Sequence, residues 1–101
     1  MDRIDYFAQA VADAPDVARA RFAYAVELQR AGRFADAVTQ YRAYLDLQED
    51  EGNAWGRLAE SLAALGDRDG AADAYLEGID QAVRHGHHAM ADDLRAALEA
   101  L

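Results

Sequence analysis

Residues 54–79 read AWGRLAESLAALGDRDGAADAYLEGI, and residues 20–45 read ARFAYAVELQRAGRFADAVTQYRAYL. Laid over one another, the two stretches are offset by 34 residues. Ala20 and Ala54, Ala25 and Ala59, Leu28 and Leu62, Gly32 and Gly66, Ala37 and Ala71, and Tyr41 and Tyr75 are identical pairs. Tyr24 with Leu58 and Leu45 with Ile79 are conservative swaps. Every pair falls on an apolar or Gly position, which marks a repeated supersecondary unit rather than a coincidence of composition.

Each copy spells out a helical hairpin. Tyr24, Ala25 and Leu28 place an apolar face on one helix, and Gly32 ends it, since Gly takes up the left-handed backbone of a C-cap at little cost. Phe34, Ala37, Val38, Tyr41 and Leu45 then recur at the spacing of a second amphipathic helix. The second copy repeats the order with Trp55, Leu58, Ala59 and Leu62, then Gly66, then Ala71, Ala74, Tyr75 and Ile79, and Asp67 stands ready to cap its second helix. The small residues Ala25, Ala59, Ala37 and Ala71 let two helix backbones approach closely, with aromatic rings filling the gaps beside them.

The same period explains both ends. One step back, Phe7 takes the register of Tyr41 and Tyr75, and Val11 that of Leu45 and Ile79, so residues 2–13 read as a second helix without its first. Pro15 and Asp16 turn the chain into a helix over 16–31. One step forward, a last helix runs from about 87 to 101. Its apolar stripe is Met90, Leu94, Ala97, Leu98 and Leu101, and Asp92, Asp93, Arg95 and Glu99 face water, as a polar cap on a stack of repeats requires.

Taken together, these residues resemble the tetratricopeptide repeat family in its small bacterial form. The second copy carries Trp55, Leu58-Ala59, Leu62, Gly66, Ala71 and Tyr75 of that pattern, and the first carries Tyr24-Ala25, Leu28, Gly32, Phe34, Ala37 and Tyr41. Arg21 stands where Trp55 stands, Tyr44 and Gly78 replace a usual Ala, and Arg68 replaces an aromatic. The resemblance implies an all-α fold, a short right-handed superhelix of about six antiparallel helices. A half-repeat over 2–15 would be followed by repeat one over 18–51, repeat two over 52–85 and a capping helix over 86–101.

Composition agrees and excludes whole classes of function. Of 101 residues, 25 are Ala and one is Pro, the balance of a helical chain. The formal charge of −9 opposes polyanions, so neither nucleic acid nor an anionic membrane surface is an expected partner. No apolar run approaches the roughly 20 residues of a bilayer span, and MDRIDYFAQA lacks the apolar core of a signal peptide, so a cytoplasmic protein is expected. All ten basic residues are Arg.

Chemistry-bearing clusters are few. Cys is absent, which removes thiolate metal sites and thiol nucleophiles. Ser61 and Thr39 have no His at helical spacing to act as a base. His85, His87 and His88 suggest metal, with His88 and Asp92 one helical turn apart, but two ligands leave a transition metal under-coordinated and Gly86 makes the loop flexible. The run DLQEDE over 46–51 misses the calcium-loop spacing and reads as a solvated inter-repeat loop. Nothing in the chain calls for a metal or other cofactor.

What remains is binding surface. In the tetratricopeptide family the first helices of successive repeats line a concave groove. By register, the resemblance implies a groove built from Arg19, Phe22, Ala23, Val26 and Arg30, then Asn53, Gly56, Arg57, Glu60 and Ala64, with His87, Met90 and Ala91 added by the cap. Phe22 and Val26 fall off the core face set by Tyr24, Ala25 and Leu28, and large apolar residues outside a core ask for an explanation, either cover by the N-terminal or C-terminal helix or a bound partner. Arg19, Arg30 and Arg57 suit carboxylates, so the expected ligand is a protein or peptide with an apolar anchor and acidic flanks. The Lys-based carboxylate clamp of chaperone-binding members has no counterpart, because the chain has no Lys. A non-enzymatic interaction module is the leading expectation. The alternatives are a homodimer joined through exposed stacking faces and, third, a small metal-dependent enzyme built on the His cluster.

Overall fold

Asp2 opens the first helix, its carboxylate accepting the Asp5 N–H at 2.9 Å. The computed structural model describes residues 2–101. Among the described residues the chain is all-α, with helices α1 (Arg3–Asp13), α2 (Ala18–Arg30), α3 (Phe34–Leu47), α4 (Asn53–Ala64), α5 (Arg68–Arg84) and α6 (His88–Glu99) and no strand. None of these helices is long and apolar enough to cross a membrane. They fall into two packed units, one ending at Glu49 and the other running Asp50–Leu101.

Three helices end in one device. At the end of α2, Gly32 takes φ +75° and Arg33 N–H donates back to Leu28 O at 2.9 Å. Gly66 and Gly86 close α4 and α5 identically, through Asp67 N–H to Leu62 O at 3.0 Å and His87 N–H to Ala82 O at 2.8 Å. These six-to-one bonds satisfy carbonyls that a helix end otherwise leaves open. Gly86 is therefore a defined helix stop and not the flexible loop its sequence suggests. Asp67 caps α5 as its position predicts, accepting Gly70 N–H at 2.9 Å.

In the first unit, α2 and α3 form a hairpin around Ala25, Leu28, Ala37 and Tyr41, none of which has any exposed surface. The Tyr41 hydroxyl donates to Gln29 Oε1, and Gln48 Nε2 donates to the Tyr44 hydroxyl at 2.9 Å, so both phenols bury their rings with the polar end satisfied. Arg21 reaches two ways, to Pro15 O and to Gln40 Oε1, both at 3.0 Å. Packed on α2, helix α1 buries Val11, and Arg3 Nε donates to Glu27 Oε1 at 2.9 Å.

One face differs from its sequence reading. The α2 surface turned to α3 includes Phe22, whose ring lies 5.9 Å from Tyr41 at 68° and 5.2 Å from Tyr44 at 55°. Phe22 and Tyr24, the latter expected on that face, are both half-buried. Aromatic edge contacts are worth roughly 1 kcal/mol beyond their buried area, which favours the Phe22 ring lying against the two α3 tyrosines.

In the second unit, α4 and α5 pack through Leu58, Ala59, Leu62, Ala71, Ala74 and Tyr75, all buried. Helix α6 lays Met90 and Leu94 into a notch floored by Gly52, Gly56, Gly78 and Ala82. A Cβ at Gly56 would lie 2.8 Å from Leu94 Cδ2, and one at Gly78 would lie 3.2 Å from Leu94 Cδ1. Asp92, Asp93, Arg95 and Glu99 are all exposed on the opposite side of α6, as its stripe predicts. Gly56 and Ala91, expected on a binding groove, are instead buried where helices approach most closely.

Asp50 also departs from expectation. Read as part of a solvated loop, it is buried, and its Oδ2 accepts the N–H groups of Gly52 and Ala54 at 2.9 Å each. The carboxylate thus satisfies the amino end of α4, where acceptors and negative charge are both favourable.

Candidate functional site

Helix α2 carries Arg19, Val26 and Arg30 at i, i+7 and i+11, one stripe along its length. Arg19 and Arg30 are exposed, and Val26 is half-buried. Arg30 is held by Glu27 at 3.3 Å, and the same Glu27 oxygen is held by Arg3 of α1, so one nearly enclosed carboxylate anchors two guanidiniums. Phe22, expected beside them, sits against Tyr41 and Tyr44 of the hairpin interior.

Helix α4 carries Asn53, Arg57 and Glu60 at i, i+4 and i+7, again on one side. Asn53 and Glu60 are exposed, and Arg57 is half-buried. Burial and then the Glu60 carboxylate raise the Tyr75 phenol above its ordinary pKa of 10.0, because both oppose a phenolate. Ser61 is buried one turn after Arg57 and donates its hydroxyl to Arg57 O at 3.0 Å, a bond within its own helix. Thr39 does the same to Ala35 O at 3.3 Å.

The histidines gather on a carboxylate. His87 Nε2 lies 3.3 Å from Glu51 Oε2 and His85 Nε2 3.8 Å from Glu51 Oε1, while His85 Nδ1 meets Gln81 O at 2.9 Å. His88 and Asp92 do not join them. Among the described residues no group of three His, Cys, Asp or Glu is arranged to hold a metal ion.

A feature absent from the sequence reading lies between α1 and α2. A trough of about 560 Å³ is lined by Tyr6, Phe7, Ala10 and Ala14 on one side and Val17, Arg19, Ala20 and Ala23 on the other. Tyr6 is 60% exposed, high for an aromatic residue, and its ring packs edge-on to Phe7 at 5.2 Å. The Arg3 guanidinium stands 5.6 Å over the Phe7 ring. The sequence signal for this trough lies in the register of Phe7, which repeats the position of Tyr41 and Tyr75 on the first of the described helices.

No protein-family model and no curated protein matches the chain. Solved structures do. A chain in the crystal structure of PcrH in complex with the chaperone binding region of PopD is 24% identical, with a TM-score of 0.87 over 96% of this chain and 74% of that chain. The solution structure of protein BPP2914 from Bordetella parapertussis is 25% identical, with a TM-score of 0.84 over 99% of this chain and 87% of that chain. The chain therefore shares its all-helical fold with these proteins.

Proposed function

We propose that this chain is a tetratricopeptide-type module that binds a protein or peptide and carries no catalytic machinery of its own. The observation that carries the reading is the fold it shares with PcrH, a protein solved with a segment of a protein partner. The 34-residue hairpin pattern supports it. So does the use of the chain's two aliphatic hydroxyls, Thr39 and Ser61, which are spent on their own helices. Stripes on the first helices of the hairpins supply the contacts: exposed Arg19 and Arg30 with half-buried Val26 on α2, and exposed Asn53 and Glu60 with half-buried Arg57 on α4, with Phe22 behind the first stripe. Guanidinium forks on these stripes select carboxylates, and rigid helices lose little entropy on binding. The ligand is a peptide with an apolar anchor and acidic flanks.

Panning a random peptide display library against the chain tests this. The expected outcome is enrichment of acidic sequences with an apolar anchor, bound several-fold more weakly by Arg57→Glu. Enriched peptides that bind Arg57→Glu and Arg30→Glu as well as the parent chain would remove both stripes from the proposal. A second reading, self-assembly into a homodimer, is favoured by Leu76 and Val83, seven residues apart on α5 and 55% and 43% exposed. A mass near twice that of the chain in light scattering, lost on Leu76→Glu, would establish it.

A further inference from the structure

Phe7 holds the register that Tyr41 and Tyr75 hold 34 and 68 residues later. In α3 that position lies beneath α2: Tyr41 is fully buried, donates to Gln29 and meets the Phe22 edge. In α5 the position is buried as well, with Glu60 of α4 close enough to act on the Tyr75 phenol. In α1 the Phe7 ring stays half-exposed, and the side chains stacked on it, Arg3 and Tyr6, belong to its own helix. Ala10 follows the same rule, half-exposed where its counterparts Tyr44 and Gly78 are buried. Helix α1 is thus a second helix whose hairpin partner is not among these residues, and the trough marks the place where that partner would lie.

We propose that the α1–α2 trough is the seat of an amphipathic α-helix contributed by another protein. The chain's own first helices show what fits against a second helix: Ala25 and Leu28 on α2, and Ala59 and Leu62 on α4, an Ala-x-x-Leu order buried in both hairpins. Charge adds the second requirement. Arg19 is the charged residue of the lining, and no carboxylate among the described residues engages it. The incoming helix therefore carries an acidic flank. A second copy of this chain has no such helix to offer, since the Ala-x-x-Leu faces of α2 and α4 are already buried. Helix α6 presents exposed Asp92 and Asp93 where α4 has Leu58 and Ala59.

The probe is a fluorescent, hydrocarbon-stapled peptide with the sequence of residues 53–66, its water-facing positions changed to Glu, titrated into the full chain by anisotropy. The expected result is saturable binding that Ala10→Glu weakens by about tenfold or more, because a carboxylate is forced against an apolar helix face. Arg19→Glu is expected to weaken it by roughly fivefold at low salt and by less at high salt. Glu77→Gln, on exposed α5 surface, leaves it unchanged. Ala23→Glu on the other wall serves should Ala10→Glu fail to fold, and hydrogen exchange in α1 is expected to slow when the peptide binds. Absence of saturable binding overturns the proposal, as does binding that neither Ala10→Glu nor Ala23→Glu weakens. A chain dimer dissolved by Ala10→Glu would do so too, by putting a second copy in the seat.

Discussion

The glycines beneath α6 make a prediction whose sign depends on the background. Gly56 lies inside α4, where replacement by Ala is ordinarily worth about 1 kcal/mol of helix stability. A Cβ there would meet Leu94 Cδ2 at 2.8 Å, so in the parent chain the added methyl costs more in overpacking, about 1–3 kcal/mol, than propensity returns. Leu94→Ala alone removes a buried side chain whose neighbours are Gly56 and Gly78. Neighbours without side chains cannot collapse into the space, which places the loss at about 3–4 kcal/mol. That is a large share of the roughly 5–15 kcal/mol of a domain this size, and a fall of about 12–30 °C in Tm. In the Leu94→Ala background the obstruction is gone and Gly56→Ala stabilises by about 1 kcal/mol. The cycle of single and double variants should give a favourable coupling of about 1–3 kcal/mol, the overpacking relieved, read from urea midpoints at unchanged m. A coupling below about 0.5 kcal/mol, the range of independent sites, would show that Gly56 is not there to admit Leu94.

Alkaline stability should follow Tyr75. Its folded-state pKa is raised, so its contribution is present in full below the ordinary value of 10.0 and is lost as pH rises through the higher folded value. Tyr75→Phe should accordingly flatten the fall in stability above pH 10.0, and Glu60→Gln should lower the Tyr75 titration midpoint seen by tyrosinate absorbance. Asp50→Ala leaves two N–H groups of the α4 entry without their acceptor and should cost about 1–2 kcal/mol in urea unfolding, most of it recovered by Asp50→Asn. Phe22→Ala should destabilise by about 2 kcal/mol, since the ring packs on Tyr41 and Tyr44; unchanged stability would return Phe22 to the surface role its sequence suggests.

Six helices were legible in the chain because local signals and period agree. Gly32, Gly66 and Gly86 stop helices through one backbone bond, and that bond needs only Gly at the right distance from an apolar face. What was not legible depended on which neighbour arrives. Helix α2 has apolar side chains at 22, 24, 25, 26 and 28, spread around most of its circumference, so its own pattern cannot choose between Phe22 and Tyr24 for the interior. Both stay half-buried, and it is Phe22 whose ring meets Tyr41 and Tyr44, which lie far along the chain. Small residues are ambiguous for the same reason. Register alone places Gly56 and Ala91 on a groove, yet small side chains at such positions are also what a close helix contact needs. Asp50 sits in a run of acids whose composition says solvent, and only the backbone turn at Gly52 brings its carboxylate onto two amides.

The candidate surfaces divide along the same line. The Arg and Asn of the stripes on α2 and α4 are positions that the tetratricopeptide register implies, and their helical spacing sets each group along one side of its helix. The trough follows from comparing one helix with its own repeats. Phe7 is an ordinary aromatic of an amphipathic helix until it is aligned with Tyr41 and Tyr75, and then its exposure becomes the anomaly. An interior residue of the repeat that stays half-open in a single copy identifies a missing neighbour more sharply than any exposed residue taken alone. Scattered apolar side chains such as Leu47 and Leu65 are common on any protein surface. The exposure of Phe7 breaks a rule that the same chain obeys twice.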